Sequence, residues 1–151
     1  LAVAANEFVT YDKKIFKITG NSVQNISTDS IPYSIQGVWF KSGKKYFISG
    51  DGLYSKNNIN TTFEWEWLNP YVTNYYLYAI RGQDINDLFA CGAFGEMIHY
   101  NGSTWKSFIQ ETVISGTFNN IDFKKHHVVA VGYASPKAII TMGIRQLTNK
   151  N

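Results

Sequence analysis

The sequence is short of the residues that most often carry chemistry. Of 151 residues one is a cysteine, Cys91, which excludes an intrachain disulfide and any paired-thiol metal or redox motif. It lies in the apolar run Leu88-Phe89-Ala90-Cys91-Gly92, where a free thiol behaves as a small hydrophobe rather than a nucleophile. Three prolines and twelve glycines exclude a collagen-like or Pro-rich chain. Charged residues make up 17%, below the usual ~25%, so the chain is neither a disordered tail nor a highly charged coiled coil. No stretch approaches the ~18 consecutive apolar residues of a transmembrane helix. Gly-rich phosphate loops of the GxGxxG or GxxxxGK(S/T) kind are missing too. What is plentiful is aromatic: four Trp, ten Tyr and ten Phe, enough for a real core in a chain of this length.

The net charge of +3 is built on fourteen basic residues, of which only Arg81 and Arg145 are arginines. The pairs Lys13-Lys14, Lys44-Lys45 and Lys124-Lys125 stand apart from one another. A nucleic-acid binder gathers its basic residues on one face and favours Arg for bidentate contacts, so no nucleic-acid partner is expected. The opening Leu1-Ala2-Val3-Ala4-Ala5 is short and lacks a basic flank, unlike an intact signal peptide. A chain that does not open on Met reads as a mature form or a fragment, with any secretory or lipoprotein leader already removed.

An internal repeat of about 42 residues organises the chain. Gly37-Val38-Trp39-Phe40, Tyr46-Phe47-Ile48-Ser49-Gly50 and Leu53-Tyr54-Ser55-Lys56 form one copy. The next runs through Ala79-Ile80-Arg81-Gly82, Leu88-Phe89-Ala90-Cys91-Gly92 and Met97-Ile98-His99-Tyr100. A third follows as Asn120-Ile121-Asp122-Phe123, Val128-Val129-Ala130-Val131-Gly132 and Ala138-Ile139-Ile140-Thr141. Upstream, Glu7-Phe8-Val9-Thr10-Tyr11 and Lys14-Ile15-Phe16-Lys17-Ile18-Thr19-Gly20 carry the middle of a fourth. Gly50, Gly92 and Gly132 fall at one repeat position.

Each copy is a set of short segments rich in Val, Ile, Phe, Tyr and Trp, separated by Gly, Asn, Asp or Ser turns. Phe63, Trp65 and Trp67 alternate with Glu64 and Glu66, the period of a strand with one wet face. Met97–Tyr100, an Asn101-Gly102 turn and Thr104–Phe108 read as a hairpin. The expected fold is all-β: β-propeller blades of four antiparallel strands, three and a half blades in this chain. The repeats fall at approximately 1–33, 34–75, 76–117 and 118–146, with a polar tail at 147–151, together a single propeller segment. A closed ring needs about 4–8 blades, so self-association or a longer parent chain is expected to complete it.

The run Asp87-Leu88-Phe89-Ala90-Cys91-Gly92, then Gly95-Glu96-Met97-Ile98-His99-Tyr100-Asn101-Gly102-Ser103-Thr104-Trp105, resembles a blade of bacterial secreted β-propellers. These are related to BNR/Asp-box and photosystem II assembly-factor-like repeats. The resemblance is strongest over residues 79–110. It implies an extracellular, periplasmic or cell-surface bacterial location. Some Bacteroidetes members are labelled glucosyltransferases, although nothing in a blade implies glycosyl transfer. Against the Asp-box pattern S-x-D-x-G-x-T-W, the copy ending in Gly102-Ser103-Thr104-Trp105 has Ile98 and Tyr100 where Ser and Asp should stand. The copy at Ser55-Lys56-Asn57 has Ile59 in place of Gly.

Catalysis finds little support. Sialidase-type propellers hold a carboxylate with three arginines, and this chain has two. A glycosidase needs two facing carboxylates, whereas Glu64 and Glu66 share one strand face and Asp12, Asp84 and Asp87 read as turn residues. His126-His127 would point to opposite sides of a strand, and no zinc spacing is present. No catalytic residue, metal ligand or cofactor is assigned. Positions that differ sharply between repeats are the better guide to a site. Trp39, Arg81 and Asp122 fill one slot of the first, innermost strand in successive copies, and would place an aromatic, a cation and an anion around the channel. Trp67 and Tyr71, in and just after the aromatic tract, are further binding candidates, because Trp and Tyr dominate hot spots. The expected function is a non-catalytic interaction module for a protein or carbohydrate partner. The alternative is a propeller-type glycan-active enzyme with part of its site outside this chain.

Overall fold

The computed structural model describes residues 2–5, 13–68 and 72–145, the backbone alone for residues 2–5 and 13. Four antiparallel sheets follow one another along the chain. The first holds β1 (Ala2–Ala5), β2 (Lys13–Thr19) and β3 (Ser22–Ile26). The second holds β4 (Ile35–Lys41), β5 (Lys45–Gly50), β6 (Gly52–Lys56) and β7 (Glu66–Trp67). The third holds β8 (Leu77–Asp84), β9 (Asp87–Gly92), β10 (Met97–Tyr100) and β11 (Trp105–Ser107). The fourth holds β12 (Thr117–Lys124), β13 (His127–Ala134) and β14 (Lys137–Ile144). Two sheets thus show four strands, and two show three among the described residues. Helix is confined there to the single turn α1 (Ile109–Thr112) and a 3-10 turn at Ala93–Gly95.

Strands adjacent in sequence are adjacent in each sheet. The opening strands stand next to one another, β1 by β4, β4 by β8 and β8 by β12. Every sheet therefore starts at a shared inner edge and meanders outward, which is the geometry of propeller blades.

Blade faces make the core. Ile15 and Ile26 of the first blade meet Ile35, Tyr46, Ile48, Tyr54 and Trp65 of the second. Phe47 and Leu53 turn the other way, onto Leu77, Ile80, Leu88, Ala90 and Ile98 of the third. Phe89, Cys91 and Met97 then pack on Phe118, Ile121, Phe123, Val128 and Ala130 of the fourth. β5 and β9 are covered on both faces and are buried almost throughout, so their sequences read as unbroken apolar runs. β14 is covered on one face only and alternates.

The recurring glycine has a packing cause. In β4, β8 and β12 the pairing with the second strand skips one residue, Gln36, Tyr78 or Asn119, as a β-bulge. Gly50, Gly92 and Gly132 lie opposite the residue just before each skip. A Cβ at these glycines would collide with the backbone carbonyl oxygens of Ser34, Tyr76 and Thr117 respectively. The position has no room for any side chain.

Polar clamps join the blades at one-repeat separation. Lys17 Nζ donates to Asn60 Oδ1 at 2.8 Å, and Lys41 Nζ pairs with Asp84 Oδ2 at 2.8 Å. Gln83 Nε2 donates to Lys125 O at 2.9 Å while Lys125 N donates to Gln83 Oε1 at 3.0 Å. Asp84 is thus not merely a turn acid: the hydrogen bond from Lys41, helped by the Ile85 N–H, holds its carboxyl below the usual range.

Two local expectations change. The strand expected over Phe63–Trp67 shrinks to Glu66–Trp67, because Ser30 Oγ accepts the Trp65 N–H at 2.9 Å and Ser27 O accepts its indole N–H at 3.1 Å. Trp65 is buried, whereas Phe63 and Trp67 are exposed, so the tract does not present one aromatic face. The hairpin of β10 and β11 forms, but its loop is four residues wide. Asn101 Oδ1 accepts from the N–H groups of Ser103 and Thr104 and closes it. Glu7–Tyr11 and Asp12 lie outside the described residues.

Candidate functional site: the inner rim

Strand register places Trp39, Arg81 and Asp122 at one station. They pair with Phe47, Phe89 and Val129, each three residues before its blade's invariant glycine. Trp39 is half-buried. Its ring lies 6.0 Å from that of Phe47 and packs against the apolar cluster between the second and third blades. A Cβ on Gly82 would strike Leu88 Cδ2 and the Asp87 carbonyl oxygen first and would also crowd Trp39 Cε2 at 3.1 Å, so the glycine lets the third blade pack closely beside the indole. The rest of Trp39 lines a hollow of about 490 Å³ with Gln36, Tyr78, Arg81, Asn119 and Asn120.

Arg81 lines this hollow and a neighbouring one of about 370 Å³, which it shares with Asn120, Asp122 and Val131. Its Nη1 donates to Ile80 O at 2.8 Å, a contact that orients the guanidinium and leaves most of its donors unused. Asp122 is exposed, and its Oδ1 accepts from Phe123 N at 2.8 Å. Arg81 and Asp122 do not pair with each other. The rim therefore runs indole, cation, anion across three blades, with amides between.

The other two candidates lie elsewhere. Trp67 is on the outermost strand of the second blade, where it lines a small groove of about 160 Å³ with Tyr33, Leu68 and Tyr75. The structure does not bring it to the inner rim. Tyr71 lies outside the described residues.

Other reactive groups have structural settings. Cys91 is fully buried, its Sγ 3.9 Å from Phe118 O, and burial pushes its thiol up to about 12 against a small opposing effect of Arg81. Glu96 is buried and accepts from Ser107 Oγ at 2.7 Å; Glu66 accepts from Ser55 Oγ at 3.3 Å. His126 and His127 are exposed, in the turn before β13 and at its first residue. Among the described residues no three His, Cys, Asp or Glu side chains gather as a metal site, and no helix is long and apolar enough to cross a membrane.

One cluster escapes sequence reasoning. Asp87, at the start of β9, takes a two-pronged contact from Arg145, with Nη1 3.1 Å from Oδ2 and Nη2 on Oδ1. His99 Nε2 lies 2.9 Å from the same carboxylate. Arg145 also covers the ring of Phe123, 5.0 Å from its centroid. These residues are 58 and 12 apart in sequence, neither a repeat multiple, so no internal comparison aligns them. Burial alone would raise the Asp87 carboxyl, but the hydrogen bonds from Arg145 and His99 outweigh it and hold the carboxyl below its usual value. A depressed acid contributes stability that is present above the unfolded-state value and lost as pH falls through the folded one. Urea midpoints should accordingly fall on acidification below about pH 4, and Asp87→Asn should flatten that decline. An unchanged slope in the variant would show that the clamp does not couple to folding.

The fold and this rim define an arc of β-propeller blades. In keeping with that class, the chain is similar in structure to the β-propeller YCF48 from Cyanidioschyzon merolae, with a TM-score of 0.66 at 16% sequence identity. The match covers 87% of this chain and 44% of that one, so the chain spans less than half of its neighbour's length. At this identity the likeness concerns the fold alone. No family model and no curated protein matches the sequence.

Proposed function

We propose that the chain is a non-catalytic β-propeller interaction module that engages a protein partner at its inner rim. The observation that carries this reading is the common station of Trp39, Arg81 and Asp122, which line two adjoining hollows as an aromatic anchor, a cation with free donors and an accessible anion. Aromatic and Arg side chains on a rigid scaffold are the usual anchors of interfaces. Asp122 is the one carboxylate lining the two hollows, whereas glycoside chemistry needs a pair. A bacterial envelope or extracellular setting belongs to this proposal and is supported by the sequence resemblance alone.

The test begins with a partner captured from the native source, which is then prepared and titrated against defined variants. Arg81→Glu and Asp122→Lys should each weaken binding by about tenfold or more, and Trp67→Ala should leave it unchanged. Loss in Trp67→Ala with full binding by Arg81→Glu would move the site to the outer groove and overturn the reading. Binding of an isolated glycan, lost in the same two rim variants, would replace protein with carbohydrate as the ligand.

The two end blades also present exposed apolar faces. Val131 and Tyr133 of β13 and Ile140, Met142 and Ile144 of β14 are exposed at 40–70% on one face of the fourth blade. At the other end Ile18 and Val23 form an exposed cross-strand pair on the first blade. Within the chain every blade junction joins two such apolar faces. We propose that a second copy covers both faces, the fourth blade of each copy packing on the first blade of the other.

A further inference from the structure

The cleft between the first and second blades has features of a ligand site distinct from the inner rim. It holds about 370 Å³, at the low end of the roughly 300–1,000 Å³ of small-molecule pockets. Lys56, the last residue of β6, lines it and is only 6% exposed. Its ammonium lies 5.7 Å from the centroid of the Trp65 ring and opens onto the cleft, where among the described residues it has neither a hydrogen-bond acceptor nor a carboxylate within ion-pair distance. The stem is covered while the charged head stays accessible from the cleft, as long cationic side chains commonly arrange themselves. Burial holds its ammonium below the ordinary lysine value, as expected for a cation short of an acceptor.

The remaining lining is dense in groups that bind hydroxyls. Gln24, Asn25 and Asn60 offer amides, and Asp29 and Glu64 offer carboxylates. At the edge Phe63 presents a ring that is 78% exposed. Amides and carboxylates can each bridge neighbouring hydroxyls, and a free aromatic face suits the apolar face of a pyranose. A neutral sugar would leave the Lys56 ammonium facing the cleft without a counter-charge, and a simple carboxylate would leave the amides unused.

We propose that this cleft binds a carboxylated monosaccharide of the hexuronate type, its carboxylate on Lys56 and its ring against Phe63. Binding is non-covalent and independent of the rim partner. The two acids in the lining, Asp29 and Glu64, meet sugar hydroxyls as acceptors, and the Lys56 ammonium, the one cation in the lining, sets the preference for an acidic sugar.

Calorimetric titration of the full chain with D-galacturonate and D-glucuronate tests the proposal, with galactose, glucose and acetate as comparisons. At least one uronate should bind in the millimolar range or better, about tenfold more tightly than its neutral hexose, with no measurable acetate binding. Lys56→Met should abolish the preference for the acid. Phe63→Ala changes an exposed residue that the fold does not use, and should weaken the uronate by several-fold even if Lys56→Met is unstable. Equal binding of acidic and neutral sugars, acetate binding as tight as uronate, unchanged affinity in Phe63→Ala, or no uronate binding would each overturn it.

Discussion

Gly92→Ala is expected to destabilise the fold strongly, lowering its denaturation midpoint well below that of the parent protein. A methyl at this site overlaps the Tyr76 carbonyl oxygen and comes within 2.9 Å of the Leu77 Cα. Both are backbone atoms of the segment that enters the bulge, so relief requires moving β8 away from β9. That movement would open the apolar cluster of Leu77, Ile80, Leu88 and Ala90, shared by two blades. Overpacking that cannot relax typically costs about 1–3 kcal/mol, and lost burial adds to it, against a total domain stability of about 5–15 kcal/mol. Gly43→Ala is the control. Its Cβ meets nothing within 4 Å, and only its φ of +70° disfavours a side chain, a cost of roughly 1–2 kcal/mol. Chemical denaturation should therefore place the Gly92→Ala midpoint below that of Gly43→Ala, by the lost burial that only the first variant incurs. Similar midpoints would show that the bulge can absorb a side chain and that the repeat glycine has another cause.

The second large effect is on assembly. Replacing Ile140 and Met142 with Lys is expected to convert a two-copy assembly into single chains while leaving the blades folded. Both side chains are about 70% exposed, and each sits beside a β13 partner, Val131 or Val129, on the same face. Burying a large apolar side chain contributes about 1.5–3 kcal/mol, so the exposed face offers on the order of 10 kcal/mol before the 4–15 kcal/mol entropic cost of association. Two buried lysines remove that gain and add two uncompensated charges. Circular dichroism unchanged with the mass halved is the expected outcome. Loss of fold at the same protein concentration would instead show that the face is integral to the single chain.

The blades were readable from the sequence because each level repeats at the same interval. Apolar runs mark β5 and β9, covered on both faces, and Gly50, Gly92 and Gly132 mark the bulges. Trp39, Arg81 and Asp122 could be aligned by counting from those glycines, and the register places them together. What could not be read depends on contacts that no period encodes. Ser27 and Ser30 capture Trp65 from the preceding blade, which turns an apparently alternating strand into a buried anchor between two exposed rings. Arg145 reaches Asp87 across a blade junction, and Lys56 looks like an ordinary strand-end lysine until the first blade closes over it. Trp67 carried the right side chain for binding, but its place on the outermost strand keeps it from the inner rim.

Apolar face-to-face packing between two copies is what we propose covers the end blades of this arc. Native mass spectrometry of the unmodified chain, with scattering in solution to give its shape, tests this most directly. The expected result is an assembly of two copies, twice the 17.1 kDa of the chain, with a closed, ring-like profile and bound ANS dye no greater than that of a folded globular protein. A stable, monodisperse 17.1 kDa species that leaves the β13–β14 face solvent-exposed would contradict it.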